Sequence, residues 1–266
     1  PAQESGLQEG DVIVSADSYE AASTDLSEFI THVRGGEGTQ VHLVIARSGE
    51  SDYLEFDITR KNLVLPTVTQ KMLGNQTGYI QVTEFTEHTV EQFEDALSEL
   101  QQEGMTALIV DLRSNPGGML TSVCSMLDDI LPEGLLVYTE DKNGNRQDYN
   151  STDDKSLDLP LAVLVNGNSA SASEIFAGAI QDRKAGTIIG TTTYGKGVVQ
   201  SILSLKDGSA FKLTTSRYFT PNGTCIQGIG IQPDVEIEYE FTGPEDAKYS
   251  EEYDNQIQKA LDVLQQ

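Results

Sequence analysis

The chain has 266 residues and carries 17 basic against 42 acidic side chains, a formal net charge of -25 at pH 7. Its length allows one large domain or two small ones, and its apolar content of 38% is enough for a sizeable core. A charge this negative repels nucleic acid and anionic membrane surfaces, so we exclude both as partners.

The ends and the cysteines of the sequence say less about function. The chain begins at Pro1 without an initiator methionine, and it contains no signal peptide and no apolar run of about 18 residues. We therefore expect a longer precursor, with room for an export signal or a membrane anchor before Pro1. The two cysteines, Cys124 and Cys225, lack metal-binding or CxxC spacing, and either a disulfide or two free thiols fits the sequence.

Residues 1–62 have the pattern of a small β-rich unit. Alternating apolar residues predict strands, and apolar residues three or four apart predict one helix that ends at Gly35. The predicted order is a strand at 12–14, the helix at 26–33, a strand at 41–45, a turn at 48–50 and a strand at 53–58. We interpret residues 63–77 as a connector.

From residue 78 onward, strands and helices alternate. The predicted strands are 79–82, 107–113 and 161–165, and the predicted helices are 90–100, 120–130 and 175–180; residues 134–155 read as a hairpin or surface loop. The nearly continuous apolar run at 107–112 is typical of a strand that is covered on both faces. Alternation of this kind predicts an α/β core, residues 78–266, with a mostly parallel sheet. Ligands of such sheets bind beyond the carboxyl ends of the strands, where Gly117 and Ser171 fall.

The segment SASASEI directly follows the predicted strand 161–165. Its residues are small enough for a substrate backbone to approach. The helix that follows Ser171 directs its N-terminal N–H groups at this point, so an oxyanion formed there would be stabilised. The same composition also suits a cluster of helix N-cap serines.

The segment YGKGVVQ places Lys196 between two glycines and Gln200 four residues later. A lysine that is partly desolvated by neighbouring apolar residues would have a lowered pKa, as a general base requires. A surface lysine in a glycine-rich loop is the alternative. Since the three histidines do not suggest a His-based triad, and the sequence contains no GxSxG, Walker A or HExxH motif, these two segments are the candidates for chemistry.

Four ordered motifs together resemble the carboxy-terminal processing peptidases, also called tail-specific proteases. They are DLRSNPGG, SASASEI, YGKGVVQ and YFTPNGTCIQGIGIQPDV. In addition, GLQEGDVIVSADSYEAAS resembles the later part of a PDZ domain. With that segment, the resemblance covers essentially the whole chain. It implies a crotonase- or Clp-protease-like core and a PDZ-like unit that is truncated at its N-terminus and lacks the loop that binds a peptide carboxylate.

The resemblance also implies the roles of individual residues. Ser171 corresponds to the family's nucleophile, since its spacing of 25 residues to Lys196 selects it over Ser169 and Ser173. Lys196 corresponds to the base and Gln200 to the residue that orients it. The backbone N–H groups of Gly117 and Ala172 correspond to the oxyanion hole. No metal or cofactor is implied.

The implied function is a serine endopeptidase that cleaves proteins near accessible C-terminal tails, while the PDZ-like unit recruits the tail or gates the site. The resemblance further implies export to the cell envelope or the outside of the cell, and it is compatible with a homo-oligomer. Two other readings remain. One is a catalytically silent, peptide-binding PDZ scaffold, and the other is a crotonase-like enzyme acting on thioesters, a class that lacks a Ser–Lys pair at this spacing.

Overall fold

A computed structural model describes residues 1–152 and 156–265. The chain separates into two compact units, Pro1–Leu65 and Pro66–Gln266. The boundary lies inside the segment that the sequence predicts to be a connector.

The first unit is a four-stranded antiparallel sheet with one helix. Its elements are β1 (Val12–Ala16), β2 (Tyr19–Glu20), α1 (Leu26–Val33), β3 (Gln40–Ala46) and β4 (Leu54–Thr59). The strand order is β2-β1-β3-β4. Asp25 caps α1 by accepting a hydrogen bond from Ser27 N, and Phe29 packs with alternate residues of β3 in a small core. The predicted strands and helix of this unit are confirmed.

The described residues of the second unit form two sheets and four α-helices. Its elements are β5 (Val68–Leu73), β6 (Thr77–Val82), α2 (Thr89–Gln102), β7 (Ala107–Asp111), α3 (Leu120–Asp128), β8 (Gly134–Asp141), β9 (Arg146–Ser151), β10 (Leu161–Val165), α4 (Ala172–Asp182), β11 (Thr187–Gly190), β12 (Val198–Ser204), β13 (Ala210–Phe219), β14 (Val235–Glu236) and α5 (Asn255–Leu264). The central sheet has the order β14-β11-β10-β7-β6-β5, and all of its neighbours are parallel except β6 and β5. The predicted α/β core with a mostly parallel sheet is confirmed.

Strand β7 shows why the central strands are apolar without interruption. Leu108 and Val110 point into the large core that contains residues of α2, α3 and α4. Ile109 points to the opposite face, into a second core with Ile257 and Ala260 of α5. Each residue of the strand is therefore buried, whichever way it points.

The second sheet has the order β12-β13-β8-β9 and is antiparallel. Strands β8 and β9 form the hairpin predicted within residues 134–155, of which residues 153–155 lie outside the described part. Among the described residues, no helix is both long and apolar enough to cross a membrane.

The predicted connector at 63–77 differs from the structure. Strand β5 lies within it and pairs antiparallel with β6 along its whole length, at the edge of the central sheet. Only one side of β5 has a strand neighbour, and its central residues Thr69, Gln70 and Lys71 are exposed. An edge strand with polar residues carries little of the apolar signal by which strands are recognised in a sequence.

Candidate active site

Ser171 occupies the sharp turn between β10 and α4, at the carboxyl end of the central sheet. Its φ of 56° and ψ of -111° are unusual for a residue with a side chain. Backbone strain of this kind is common at catalytic positions. A nucleophile on a strained strand-to-helix turn is also the arrangement of the GxSxG elbow, although that sequence is missing here.

The three serines of SASASEI have different environments. Ser169 Oγ donates to the carbonyl oxygen of Leu112 at 2.8 Å, and Ser173 Oγ donates to that of Asn115 at 3.0 Å. Both residues are fully buried, whereas Ser171 is half-buried. The outer two serines therefore hold the turn in place, and the middle one is the accessible candidate for a nucleophile.

The buried carboxylate of Glu174 joins the serine turn to the lysine loop. Its Oε2 accepts the backbone N–H groups of Ser171 and Lys196, each at 2.8 Å. Its Oε1 accepts Thr193 Oγ1 at 2.6 Å and the Gly195 N–H at 2.7 Å. Because the amide nitrogens of Ser171 and Lys196 each lie 2.8 Å from Glu174 Oε2, the two nitrogens are no farther apart than the sum of these two distances. The structure thus brings together two residues that are 25 positions apart in the chain.

The glycines beside Lys196 let its loop pack tightly against residues 226–230. A Cβ on Gly197 would lie 2.4 Å from the nitrogen of Gln227, and one on Gly195 would lie 3.1 Å from that of Gly230. The Gly197 N–H donates to Gln227 Oε1 at 2.9 Å. Residues 226–230 therefore pack against the loop that carries Lys196 and fix its backbone. Lys196 is half-buried.

Gly117 lies directly against the serine turn. Its φ is +104°, and a Cβ on it would lie 2.6 Å from the Ala170 oxygen and 2.8 Å from Ser171 Cβ. Ala172, the other predicted oxyanion donor, is the first residue of α4, so its N–H has no acceptor within the helix. The Gly117 N–H is engaged in this conformation, since it donates to Asn115 Oδ1 at 2.8 Å.

Asn115 anchors the Gly117 loop on two sides. Its Nδ2 donates to the Val82 oxygen at 2.9 Å, and its own carbonyl oxygen accepts the Ala170 N–H at 3.0 Å. The side chain is completely buried. These bonds connect the Gly117 loop to β6 on one side and to the serine turn on the other.

Gln200 is the one predicted site residue that the structure does not join to the others. It lies on β12 opposite Thr214, beyond a bulge, and its side chain is exposed. Within 1–152 and 156–265, no hydrogen bond connects Gln200 with Lys196. Its predicted orienting role therefore stays a prediction.

A second buried polar cluster lies near the site. The Arg113 guanidinium donates to the carboxylates of Asp111 and Asp254. The distance from Arg113 Nη1 to Asp254 Oδ2 is 2.9 Å. Tyr79 donates its hydroxyl to Asp111 at 2.7 Å, and burial together with the Asp111 charge raises the pKa of this phenol far above its ordinary value. Asp254 also caps α5. This cluster ties the last helix to the end of β7.

Neither cysteine takes part in the site. Cys124 and Cys225 are free thiols, and burial raises the pKa of Cys124 to about 12, so its reactive thiolate form is suppressed. In the described part of the chain, no group of three or more His, Cys, Asp or Glu side chains is arranged to hold a metal ion.

Comparison with known proteins identifies the family of the chain. The sequence profile of peptidase family S41 matches residues 76–237. The chain belongs to peptidase family S41. A carboxyl-terminal-processing protease of Synechocystis sp. is 36% identical over 274 residues, which cover 99% of this chain and 62% of that protein. A carboxy-terminal-processing protease of Bartonella bacilliformis is 39% identical over 246 residues, which cover 90% of this chain and 56% of that protein.

A solved structure shows the same relationship. The photosystem II D1 C-terminal processing protease superposes with a TM-score of 0.61 at 32% identity, covering 91% of this chain and 67% of that one. The predicted resemblance to carboxy-terminal processing peptidases is thus confirmed. The chain spans slightly more than half the length of the curated relatives it matches.

Sequence reasoning missed Glu174, Asn115, Thr193 and Gln227. For Glu174 a signal exists, because Ser171 and Glu174 have the S-x-x-E spacing of a capping box, in which the glutamate accepts the N-cap N–H. Asn115 carries the local signal of an Asx turn, since its side chain accepts the N–H two residues on. Sequence offers no comparable signal for Thr193 and Gln227, which act through contacts with distant segments.

Proposed function

We propose that this chain is the catalytic part of a serine endopeptidase in which Ser171 is the nucleophile and Lys196 the general base. The observation that carries the proposal is the Glu174 carboxylate, which binds the backbone N–H groups of both residues. A positioned nucleophile and base, next to N–H groups that can stabilise an oxyanion, is the arrangement that acyl transfer requires.

In the proposed reaction, the neutral amine of Lys196 takes the proton from Ser171 Oγ while that oxygen attacks the scissile carbonyl carbon. The carbon–nitrogen bond then breaks, and protonated Lys196 gives its proton to the leaving amine. Water attacks the acyl-enzyme and loses a proton to Lys196, and Ser171 is released in its original form. Gln200 is proposed to hold the lysine amine in line.

The oxyanion is proposed to bind the N–H groups of Gly117 and Ala172, a contribution of about 3–4 kcal/mol per donor in other proteases. For Gly117, the proposal requires the amide to exchange Asn115 Oδ1 for the oxyanion. The contact between Gly117 and the serine turn supports this assignment.

The proposed substrates are proteins with accessible C-terminal tails, because the similar proteases are named for this processing. The first unit is proposed to be a partial PDZ-like module that recruits tails or gates the site, and the second a crotonase-like peptidase core. Export from the cytoplasm, a homo-oligomer and membrane attachment are further proposals from the same resemblance. Fractionation of cells and size measurement of the whole protein test them.

The direct test is incubation with an unstructured protein, followed by mass spectrometry of the fragments. The parent chain should cleave it, and Ser171→Ala and Lys196→Ala should not. Absence of cleavage by the parent, with retained peptide binding, would instead support the peptide-binding scaffold.

A further inference from the structure

Gly118 lies in the short extended segment that joins the Gly117 loop to α3, and it forms a parallel bridge with Phe85. The Phe85 N–H donates to the Gly117 oxygen at 3.0 Å, and the Met119 N–H donates to the Phe85 oxygen at 2.7 Å. Both bonds lie on one side of the segment. Because the backbone groups of successive residues point to opposite sides of an extended chain, the N–H and C=O of Gly118 face the other side.

These two backbone groups of Gly118 are free and accessible. Within residues 1–152 and 156–265, neither its N–H nor its C=O takes part in a hydrogen bond. Gly118 is exposed, whereas Gly117 is buried. Unpaired backbone groups on an open edge bind extended peptides, whose own N–H and C=O groups complete the pairing.

The segment offers a peptide one backbone acceptor. Between residues 117 and 120, all of which the structure describes, the other carbonyl oxygens are engaged. The Gly117 oxygen accepts the Phe85 N–H, and the Met119 oxygen accepts the Val123 N–H at 3.3 Å. Helix α3 begins at Leu120, so the carbonyl oxygens from there on bond within the helix. Only the Gly118 oxygen is left to receive an N–H of a substrate.

The distance from Gly118 to Ser171 determines which substrate residue it meets. Gly117 lies against the nucleophile, since a Cβ on it would be 2.8 Å from Ser171 Cβ. Gly118 follows it, and consecutive Cα atoms are about 3.8 Å apart. The scissile carbonyl carbon must reach Ser171 Oγ. The residue that carries this carbonyl, the acyl residue, is therefore the one within reach of Gly118.

We propose that Gly118 binds the backbone of the acyl residue in an antiparallel pair of two hydrogen bonds. The N–H of the acyl residue donates to the Gly118 oxygen, and its carbonyl oxygen accepts the Gly118 N–H. The Gly118 N–H needs no exchange of partners for this, unlike the Gly117 N–H, which is bonded to Asn115 Oδ1. The pair selects substrates by their backbone, because an acyl residue must supply an N–H and proline has none. This inference rests on the proposed peptidase function and adds a specificity-determining contact to it.

Changes to the substrate test the pair, because a Cβ introduced by Gly118→Ala would lie 2.1 Å from the Phe85 oxygen and would disturb the fold. The probe is a short peptide that spans one bond cleaved by the parent chain in an unstructured protein. An ester in place of the amide N–H of the acyl residue removes the donor without adding bulk. The fragment from the original bond should then form about three- to tenfold more slowly.

The matched control peptide has the ester two residues earlier, where the segment offers no acceptor. Its cleavage at the original bond should stay within about twofold of that of the all-amide peptide. Proline at the acyl residue, compared with alanine at the same place, should lower the rate by about tenfold or more. Equal rates for the three ester and amide peptides, or equal losses at the two ester positions, would overturn the proposal.

Binding to the Ser171→Ala chain separates this proposal from the peptidase function. The ester at the acyl residue should weaken binding of the peptide about three- to tenfold, and the control ester should not. Unchanged binding contradicts the pair with Gly118. Failure of the peptidase function would look different, because the parent chain would then leave the all-amide peptide uncut, whatever the binding of the esters.

Discussion

The carboxylates of Glu174 and Asp254 are both buried, but their charges are stabilised in different ways. Glu174 accepts three backbone N–H groups and one hydroxyl, and no cation is among these partners. Asp254 faces the guanidinium of Arg113, which it shares with Asp111. The first arrangement fixes the backbone of the site, whereas the second fastens a helix to the core.

This difference separates two uses of buried charge. An ion pair such as that of Asp254 holds side chains, and small shifts of its atoms leave the reacting groups in place. The bonds of Glu174 hold the amides of Ser171 and Lys196 themselves. We therefore expect changes at Glu174 to impair catalysis as well as stability, and changes at Asp254 to lower stability with little effect on catalysis.

Glu174→Gln should have the largest combined effect on catalysis and stability. The amide group of glutamine would replace one acceptor oxygen with an NH₂ donor, so two of the four donors would face another donor. We expect kcat/KM to fall about 100-fold or more, because small misplacements of reacting groups cause losses of this size. The free energy of unfolding should fall by about 2–4 kcal/mol. Cleavage kinetics on the folded variant and denaturant unfolding measure the two quantities.

Thr193→Val is a milder control for the same carboxylate. It removes one donor to Glu174 and the side-chain acceptor of the Ile231 N–H, and it leaves the bonds from Ser171 and Lys196. Its kcat/KM should fall much less than that of Glu174→Gln. Equal losses in the two variants would mean that general damage to the core, and not the position of the two site residues, explains the effect.

The three serines give the next largest contrast. Ser171→Ala should lower kcat/KM by about 10³-fold or more, with little change in stability. Ser169→Ala should lower stability by about 1–2 kcal/mol, because the Leu112 oxygen and the Asn166 N–H lose their buried partner. Kinetics and unfolding of both variants check this. Cleavage that survives in Ser171→Ala and disappears in Ser169→Ala would reverse the assignment.

Asp254→Asn should mainly affect stability. It removes the charge opposite Arg113 in a buried site, while the side-chain oxygen that caps α5 is kept. We expect a loss of about 2–3 kcal/mol in denaturant unfolding, with kcat within about threefold of the parent. A loss of kcat as large as that of Glu174→Gln would remove the distinction between the two clusters.

The first unit has a third arrangement, an ion pair that depends on pH. Arg47 donates to both oxygens of Asp11, and this hydrogen bonding lowers the pKa of Asp11 from 3.8 to about 2. The pair therefore contributes its full stability above the ordinary pKa of a carboxyl group, and the contribution is lost as the pH falls through about 2. Thermal unfolding should find Asp11→Asn less stable than the parent at neutral pH, with the difference vanishing near pH 2. A constant difference would contradict this.

The strongly periodic elements could be predicted from the sequence. The buried strands β7 and β10, the amphipathic helix α2 and the buried helix α4 are confirmed close to their predicted ranges. Their apolar residues follow the spacing of a strand or a helix with few exceptions. The sequence also predicted that Gly117 and Ser171 lie beyond the carboxyl ends of the strands, where the structure has them.

Elements that depend on distant partners could not be predicted. The polar edge strand β5 has little apolar pattern. Sequence reasoning also missed α5, although Ile257, Ala260, Leu261 and Leu264 have the spacing of an amphipathic helix. The role of Glu174 depends on residues 19 to 22 positions away, which its own neighbourhood in the sequence does not reveal. The bond between the Gly117 N–H and Asn115 is local, by contrast, because it spans two residues and has the form of an Asx turn.

The most direct test of the site is labelling with an acylating serine-directed probe, followed by identification of the modified residue. The parent chain should be modified at Ser171 and not at Ser169 or Ser173, and the rate should fall sharply in both Lys196→Ala and Glu174→Gln. Modification of another serine, or an undiminished rate in Lys196→Ala, would contradict a lysine base that Glu174 holds beside the nucleophile.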